Sequence, residues 1–326
     1  MGLIDLTKIE PHKVSRDLSG YITFIYGAPK TGKTTLAVQM PDALLLAFEK
    51  GYNALPGVKA VDITSWAEML MVYRQLKSDD VKALYKTIIV DTVDIAAEMC
   101  QKYVCDQLDV ENLGDAGYGK GWSAFSSQFK EVFRGLTQLG YAVFFIGHEK
   151  LGTKTDTAGN EYNYIGPAIS GSAAKQCIEG MADIYGYAHQ VRTSDMSVLT
   201  LRADDDSITC GGRFHYIKKE IPFTYDDLVT AVREAIDKEA EEHDGKYVTD
   251  EKEKEVQKIE YDFDAMKEEF ATMAGELMNK DPKVGSRITA IVDKHLGKGK
   301  KVQNLSPSQA ELLALIIMDM KEEFKL

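Results

Sequence analysis

Short apolar runs recur through the first half of the chain, at residues 21–26, 43–48, 87–90 and 141–146. Each is nearly continuous in apolar residues and is bounded by Gly, Pro or charge, as in strands buried on both faces. Between them, residues 33–39, 65–76, 93–108 and 123–139 read as helices. Strand alternating with helix predicts an α/β fold, with a mainly parallel sheet covered by helices on both faces.

The rhythm changes after Ile146. Residues 149–170 are polar and punctuated by Gly152, Gly159 and Gly166, which reads as a long loop or an exposed hairpin. Residues 183–188, 196–203 and 213–217 follow as short strands separated by turns, an expected antiparallel extension of the sheet. Tyr225–Glu241 reads as a helix closing this domain. Residues 242–262 are mostly charged, without an apolar face, and read as a linker or a solvated helix. Beyond them, Met266, Phe270, Met273 and Leu277 share one helical face. Val284, Ile288, Ile291 and Val292 form a second stripe. Ser306, Pro307 and Gln309 supply the start signal of a third helix carrying Leu312, Leu313, Ile316, Ile317 and Met320. The expected organisation is therefore a domain over 1–241, a linker over 242–262 and a small helical module over 263–326.

Composition narrows the function classes. Of 326 residues, 44% are hydrophobic, enough for a substantial core. No run approaches the roughly 20 apolar residues that cross a bilayer. Met1–Glu10 lacks the pattern of a signal peptide. Leu6 stands where a myristoylation signal needs Ser or Thr. A soluble, cytoplasmic protein with no membrane partner is expected. Cys100, Cys105, Cys177 and Cys210 form no close pair, so reduced thiols are expected rather than a zinc knuckle or disulfide framework. The net charge of −12 opposes non-specific adhesion to nucleic acid but leaves room for a local basic groove.

The strongest chemical signal is Gly27-Ala28-Pro29-Lys30-Thr31-Gly32-Lys33-Thr34, a full GxxxxGK[ST] match between an apolar run and a helical stretch. Its glycines let the backbone curl so that successive N–H groups converge on phosphate oxygens. The following helix, with Thr35 in its first turn, turns its positive end to the same anion. Lys33 is placed to reach the β- and γ-phosphates, and Thr34 offers a hydroxyl to Mg²⁺. ATP and Mg²⁺ are the expected ligands.

Asp91 ends the apolar run Thr87-Ile88-Ile89-Val90, where a carboxylate serves the same Mg²⁺. Hydrolysis also needs a group to orient or deprotonate water. Glu49 ends the run 43–48 and so falls at the carboxyl edge of the sheet, where ligands of open α/β sheets bind. A helix-capping or exposed acid is the alternative. His148 follows the run 141–146 to the same edge. It either senses the γ-phosphate and relays to residues 149–170, or is a core histidine bonded to backbone.

This order of signals resembles the RecA-like P-loop ATPases, and within them the phage-encoded nucleotide-binding proteins associated with recombination. The likeness spans about residues 10–236 and is carried by Pro11-His12-Lys13-Val14 through Thr35, by segments 45–51, 87–94, 117–122 and 144–148, and by Gly212-Arg213-Phe214 through Asp227. It implies a RecA-like core with antiparallel C-terminal strands. It implies Glu49 as the water-activating acid and Asp91 as the Mg²⁺ acid. It further implies a homo-oligomeric ring or filament on single-stranded DNA, with a neighbour's cation, here Arg213, beside the γ-phosphate. Two DNA-contacting loops are implied, one carrying Tyr118, Lys120 and Trp122, the other Lys150 and Lys154. The few basic residues in these loops favour annealing, or assistance to an annealing protein, over strand exchange.

Four readings stay open at this stage. The first is a DNA-dependent ATPase of phage recombination or replication, with its C-terminal module available to a recombination or replication partner in the bacterial host cell. The others are a helicase loader or AAA-type motor acting on protein, a small-molecule kinase, and a non-catalytic nucleotide-gated DNA-binding module. Residues 149–170 hold no arginine, which counts against a kinase lid.

Overall fold

The computed structural model describes residues 9–191, 196–250 and 261–326. The remaining positions, among them most of Met1–Glu10 and the core of the expected linker, lie outside the described residues. The chain divides into two compact units, one spanning Pro11–Glu255 and the other holding the C-terminal helices.

In the larger unit the chain runs through β1 (Val14–Ser15), β2 (Ile22–Gly27), α1 (Lys33–Ala37), β3 (Ala43–Ala47), β4 (Ala60–Asp62), α2 (Trp66–Gln75) and α3 (Asp79–Lys82). It continues through β5 (Thr87–Asp91), α4 (Val93–Leu108), α5 (Lys120–Gln138), β6 (Ala142–Thr155), β7 (Glu161–Pro167) and α6 (Ser172–Met181). It ends with β8 (Ile184–Gln190), β9 (Ser197–Thr200), β10 (Gly211–Gly212), β11 (Glu220–Pro222), α7 (Tyr225–Glu241) and β12 (Val248–Thr249). Across the main sheet the order is β11, β9, β8, β2, β6, β5, β3, β4. From β8 to β4 every pairing is parallel, whereas β9, β10 and β11 are added antiparallel.

Period two divides the strand side chains between two cores. Phe24, Tyr26, Leu46, Ile88, Val90, Val143 and Phe145 face α2, α4, α5 and α6. Ile25, Leu45, Ala47, Ile89, Phe144 and Ile146 face α1 and α7. Because both faces are covered, the runs read as continuous apolar segments. On α5, Phe125, Phe129 and Phe133 recur every fourth residue and are fully buried. Trp66 stacks on Phe129 and meets Phe133 edge-on. Each such side chain contributes on the order of 2–3 kcal/mol by burial.

The elements expected from periodicity are present, with three corrections. Residues 183–188 do not extend the sheet antiparallel: β8 lies parallel to β2, because α6 carries the chain back across the sheet before it. Residues 213–217 form a turn, not a strand. The edge of β8 is occupied by β10 at Ile184 and Tyr185 and by β9 from Tyr187 to Gln190, so this segment has no strand to pair with. Of the two readings of the polar stretch 149–170, the exposed hairpin is the one observed: β6 runs on beyond the sheet and pairs antiparallel with β7. The first unit also extends past 241: β12 pairs with β1, and Arg16 bonds Asp237 on α7 (2.7 Å) and Asp250 (3.1 Å). Residues 242–250 therefore belong to that unit rather than to a linker.

The smaller unit holds α8 (Phe263–Lys280), α9 (Gly285–Leu296) and α10 (Ala310–Phe324). Met266, Ile288, Val292, Leu313, Ile317 and Met320 form its core. Ser306 and Gln309 make the expected reciprocal cap around a short 3₁₀ turn that continues into α10. Asp319 accepts bonds from Lys294 (2.7 Å) and His295 (2.8 Å), tying α10 to α9.

Gly135 on α5 presses against Tyr73 of α2, and a Cβ there would stand 1.8 Å from the Tyr73 hydroxyl oxygen. Gly135→Ala is expected to destabilise the protein by roughly 1–3 kcal/mol, despite the better helix propensity of alanine. A denaturant midpoint equal to or above the parent's would contradict this packing.

Candidate phosphate-binding site

Parallel register brings the candidate residues to one edge. Gly27 pairs with His148 and with Ala188, Ile146 with Asp91, and Asp91 with Ala47. The strand carrying the phosphate loop and the strand ending in Asp91 are therefore separated by β6 alone. Just after Ala47, the N–H groups of Phe48 and Glu49 both donate to the Asp91 carbonyl (2.7 and 3.2 Å), which turns Glu49 over the end of β5.

The loop's glycines answer specific demands. A Cβ on Gly27 would lie 2.1 Å from the Ala188 carbonyl oxygen, so β8 closes on the loop only if this position is glycine. Gly32 takes φ +94 as the N-cap of α1. Lys30 also adopts positive φ and is exposed with Pro29. Thr31 donates to the Ala28 carbonyl (3.0 Å).

Lys33 is only 6% exposed. Its ammonium donates to the carbonyls of Gly27 (2.9 Å) and Ala28 (2.6 Å), within the loop itself. Burial pulls its pKa down, against the opposing influence of Asp91, Glu49, Asp94 and Glu149. The Thr34 hydroxyl donates to Asp91 Oδ2 (2.7 Å). Burial pushes the Asp91 carboxyl up to about 6, and nearby Glu49 adds to this, while the Thr34 hydroxyl, Lys33 and His148 pull the other way.

These residues fit a hard divalent cation. Thr34 and Asp91 supply a hydroxyl and a carboxylate, an oxygen-only donor set of the kind Mg²⁺ takes together with phosphates and waters. Gly51 lies above them, and even a methyl group there would sit 3.5 Å from Asp91 Oδ2 and 3.6 Å from Thr34 Oγ1. Among the described residues no group of three or more His, Cys, Asp or Glu could hold a metal unaided.

His148 stands next to this pair. Its Nε2 is 3.7 Å from Glu49 Oε1 and its Nδ1 is 2.7 Å from Asp94 Oδ2. The bond to Asp94 raises the His148 pKa, against burial. Burial would raise the Asp94 carboxyl, but the bonds and charge of His148 hold it below the usual carboxylate range. Sequence reasoning missed Asp94, whose one signal, an acid in the first turn of a helix, reads as a favourable charge at a helix start. Thr92 was likewise missed: its buried hydroxyl has no hydrogen-bond partner among the described residues.

The remaining expected residues lie elsewhere. Arg213 is not at this edge. It bonds the Gly180 carbonyl (3.1 Å) and Asp183 (3.2 Å), and Asp183 precedes β8, at the opposite end of the strands from Gly27. The pairing of Gly212 with Ile184 and the bond from the Arg213 backbone N–H to the Asp183 carbonyl (2.9 Å) set this placement. Tyr118 and Lys120 are exposed in the turn before and at the start of α5, and exposed Trp122 meets Phe125 edge-on. Lys150 and Lys154 are exposed on the hairpin, where Lys154 covers the Tyr164 ring at 4.2 Å.

The raised Asp91 pKa carries a stability consequence. A carboxyl titrating at about 6 in the fold and 3.8 unfolded favours folding most below pH 3.8, and that contribution is lost as pH rises through 6. At pH 7–8 and without nucleotide, Asp91→Asn is expected to be more stable than the parent by up to about 3 kcal/mol, with the gain vanishing near pH 4. Mg²⁺-dependent nucleotide affinity is lost in the same variant. Thermal melts across pH and calorimetry check both; a variant less stable than the parent at pH 8 refutes the buried-charge account.

Residues 19–220 match a family model described as an AAA domain. Over 333 aligned residues the chain is 31% identical to an SPbeta prophage-derived uncharacterized protein, YorG, of Bacillus subtilis (strain 168), covering 98% of each. Among solved structures, a KaiC-like protein of the hyperthermophilic archaeon Pyrococcus horikoshii aligns at 14% identity and a TM-score of 0.35, covering 62% of this chain and 84% of that one. With a phosphate loop seated between β2 and α1 and a carboxylate on the next strand but one, the chain belongs to the AAA-domain family of P-loop ATPases.

Proposed function

We propose that this chain hydrolyses ATP with Mg²⁺ and uses the cycle to act on single-stranded DNA in phage recombination or replication, annealing strands or assisting an annealing protein. One observation carries the reading. Lys33, Thr34, Asp91, Glu49 and His148 converge at one sheet edge, and the same strand that presents His148 continues outward as an exposed hairpin with Lys150 and Lys154. In this reading Lys33 leaves its loop carbonyls to meet phosphate oxygens, as a buried ammonium with a choice of acceptors can. Glu49, 37% exposed beside the loop, orients or deprotonates the attacking water. A bound Mg²⁺, held by Thr34 and Asp91, would neutralise phosphate charge. His148 reports the state of the site to the hairpin that begins at the next residue.

The link to DNA is chemical. The hairpin and the turn before α5 expose Lys150, Lys154, Lys120, Tyr118 and Trp122, a mixture of cations and rings suited to phosphates and unstacked bases. The prophage origin of its B. subtilis relative is consistent with a phage role. Assembly into a ring or filament accompanies this reading, with a neighbouring copy completing the site. Arg213, held at the opposite end of its own strands from Gly27, is in this reading offered to another copy rather than to its own phosphate loop. The C-terminal unit, with exposed Met278, Leu315 and Met318, is a surface for a recombination or replication partner. Among the described residues no helix is long and apolar enough to cross a membrane.

Three measurements test this. Lys33→Ala is expected to abolish ATP turnover in a folded protein, and Glu49→Gln to keep nucleotide binding while lowering turnover at least ~100-fold. Hydrolysis in the parent rises on adding single-stranded DNA, together with a rise in mass by light scattering. Turnover that is indifferent to DNA, with the protein remaining a monomer, removes the DNA role. Phosphate transfer to a metabolite in place of water would favour the kinase reading.

A further inference from the structure

Asp94 lies three residues beyond Asp91, in the first turn of α4, with its side chain only 10% exposed. Both of its oxygens serve one residue. Oδ1 accepts from the His148 backbone N–H (3.1 Å) and Oδ2 pairs with the ring Nδ1 (2.7 Å). A residue held at its backbone and at its ring has little freedom to rotate, so Nε2 points steadily toward Glu49 Oε1, 3.7 Å away. Were Asp94 only a favourable charge at a helix start, neither contact to β6 would be needed.

On the reading that this site hydrolyses ATP, we propose that Asp94 is a positioning residue: it fixes the orientation and tautomer of His148 so that the imidazole sets the place of the Glu49 carboxylate. An ionised carboxylate accepts and cannot donate, so Nδ1 must carry the hydrogen and Nε2 is left to face Glu49. When Nε2 also carries a proton, the ring attracts Glu49 and holds it aside. When Nε2 is bare, its lone pair repels the carboxylate and leaves it to water. Asp94 thus acts on Glu49 through the ring without touching it. The charged groups facing the ring are Asp94 from α4, Glu49 from the end of β3, Asp91 from β5 and Lys33 from α1. The same contact anchors the hairpin's root, since His148 is the last residue of β6 paired within the main sheet.

The test uses the full-length chain labelled with ¹⁵N, reading histidine ring nitrogens by NMR, with His148 assigned by its loss in His148→Gln. The parent is expected to show Nδ1 of His148 protonated. In Asp94→Asn the amide donates where the carboxylate accepted, so the ring shifts toward the Nε2–H tautomer. The kcat then falls by roughly 10- to 100-fold while KM for MgATP stays within about three-fold. The proposal is overturned by a parent ring protonated at Nε2 alone. It is equally overturned by an Asp94→Asn protein with unchanged ring spectrum and kcat within about two-fold of the parent, or by one in which kcat and KM deteriorate together, as for a purely structural role. Should Asp94→Asn fail to fold, the parent spectrum decides. A parent that hydrolyses no ATP defeats the ATPase reading instead, and the ring spectrum still tests Asp94.

Discussion

Shift β6 by one residue against β2 and His148 no longer stands beside Gly27. Every side chain on β6 would also change face, exchanging Phe145 and Val143 for Phe144 and Ile146 between the two cores. Burial on both faces forbids that slip, and the same register places Asp91 opposite Ile146 and Ala47 opposite Asp91. The phosphate site is thus assembled by apolar packing several residues away from it. Gly27 completes the constraint: β8 pairs alongside β2 at the loop only because no side chain stands between Gly27 and the Ala188 carbonyl.

The charges collected at this edge are costly to the fold. Lys33 and Asp91 are buried, and burial dominates the displaced titration of both. Lys33 is stabilised by loop carbonyls, and Asp91 by the Thr34 hydroxyl, rather than by a direct ion pair with each other. Buried charges of this kind are held at the expense of fold stability. Asp94 and His148 are the exception, a satisfied pair whose contacts rigidify the edge rather than leaving it open.

One strand joins chemistry to surface. The first half of β6 is core, and its second half is the inner strand of the hairpin. The hairpin is rooted by the Glu149 carboxylate, which accepts from the Tyr187 hydroxyl (2.8 Å), and by Tyr26, whose hydroxyl donates to the Ile165 carbonyl on β7 (3.2 Å). Tyr26 immediately precedes Gly27, so the strand that carries the phosphate loop is tied to the base of the exposed arm.

The sequence by itself determined the α/β alternation, the phosphate loop, the placing of Glu49, Asp91 and His148 at the carboxyl edge of the sheet, and the helical stripes of the C-terminal unit. These are local properties: apolar periodicity, glycine and capping chemistry within a few residues. Tertiary structure alone decided what depends on distant partners. It set β8 parallel, left 213–217 without a strand to join, and closed β12 on β1 across more than 200 residues of chain. It drew Arg213 to Asp183, away from the phosphate loop, and turned Asp94 from a helix-start acid into the partner of His148. A side chain's partner follows from which elements pack together, and neither periodicity nor motif spacing encodes that contact.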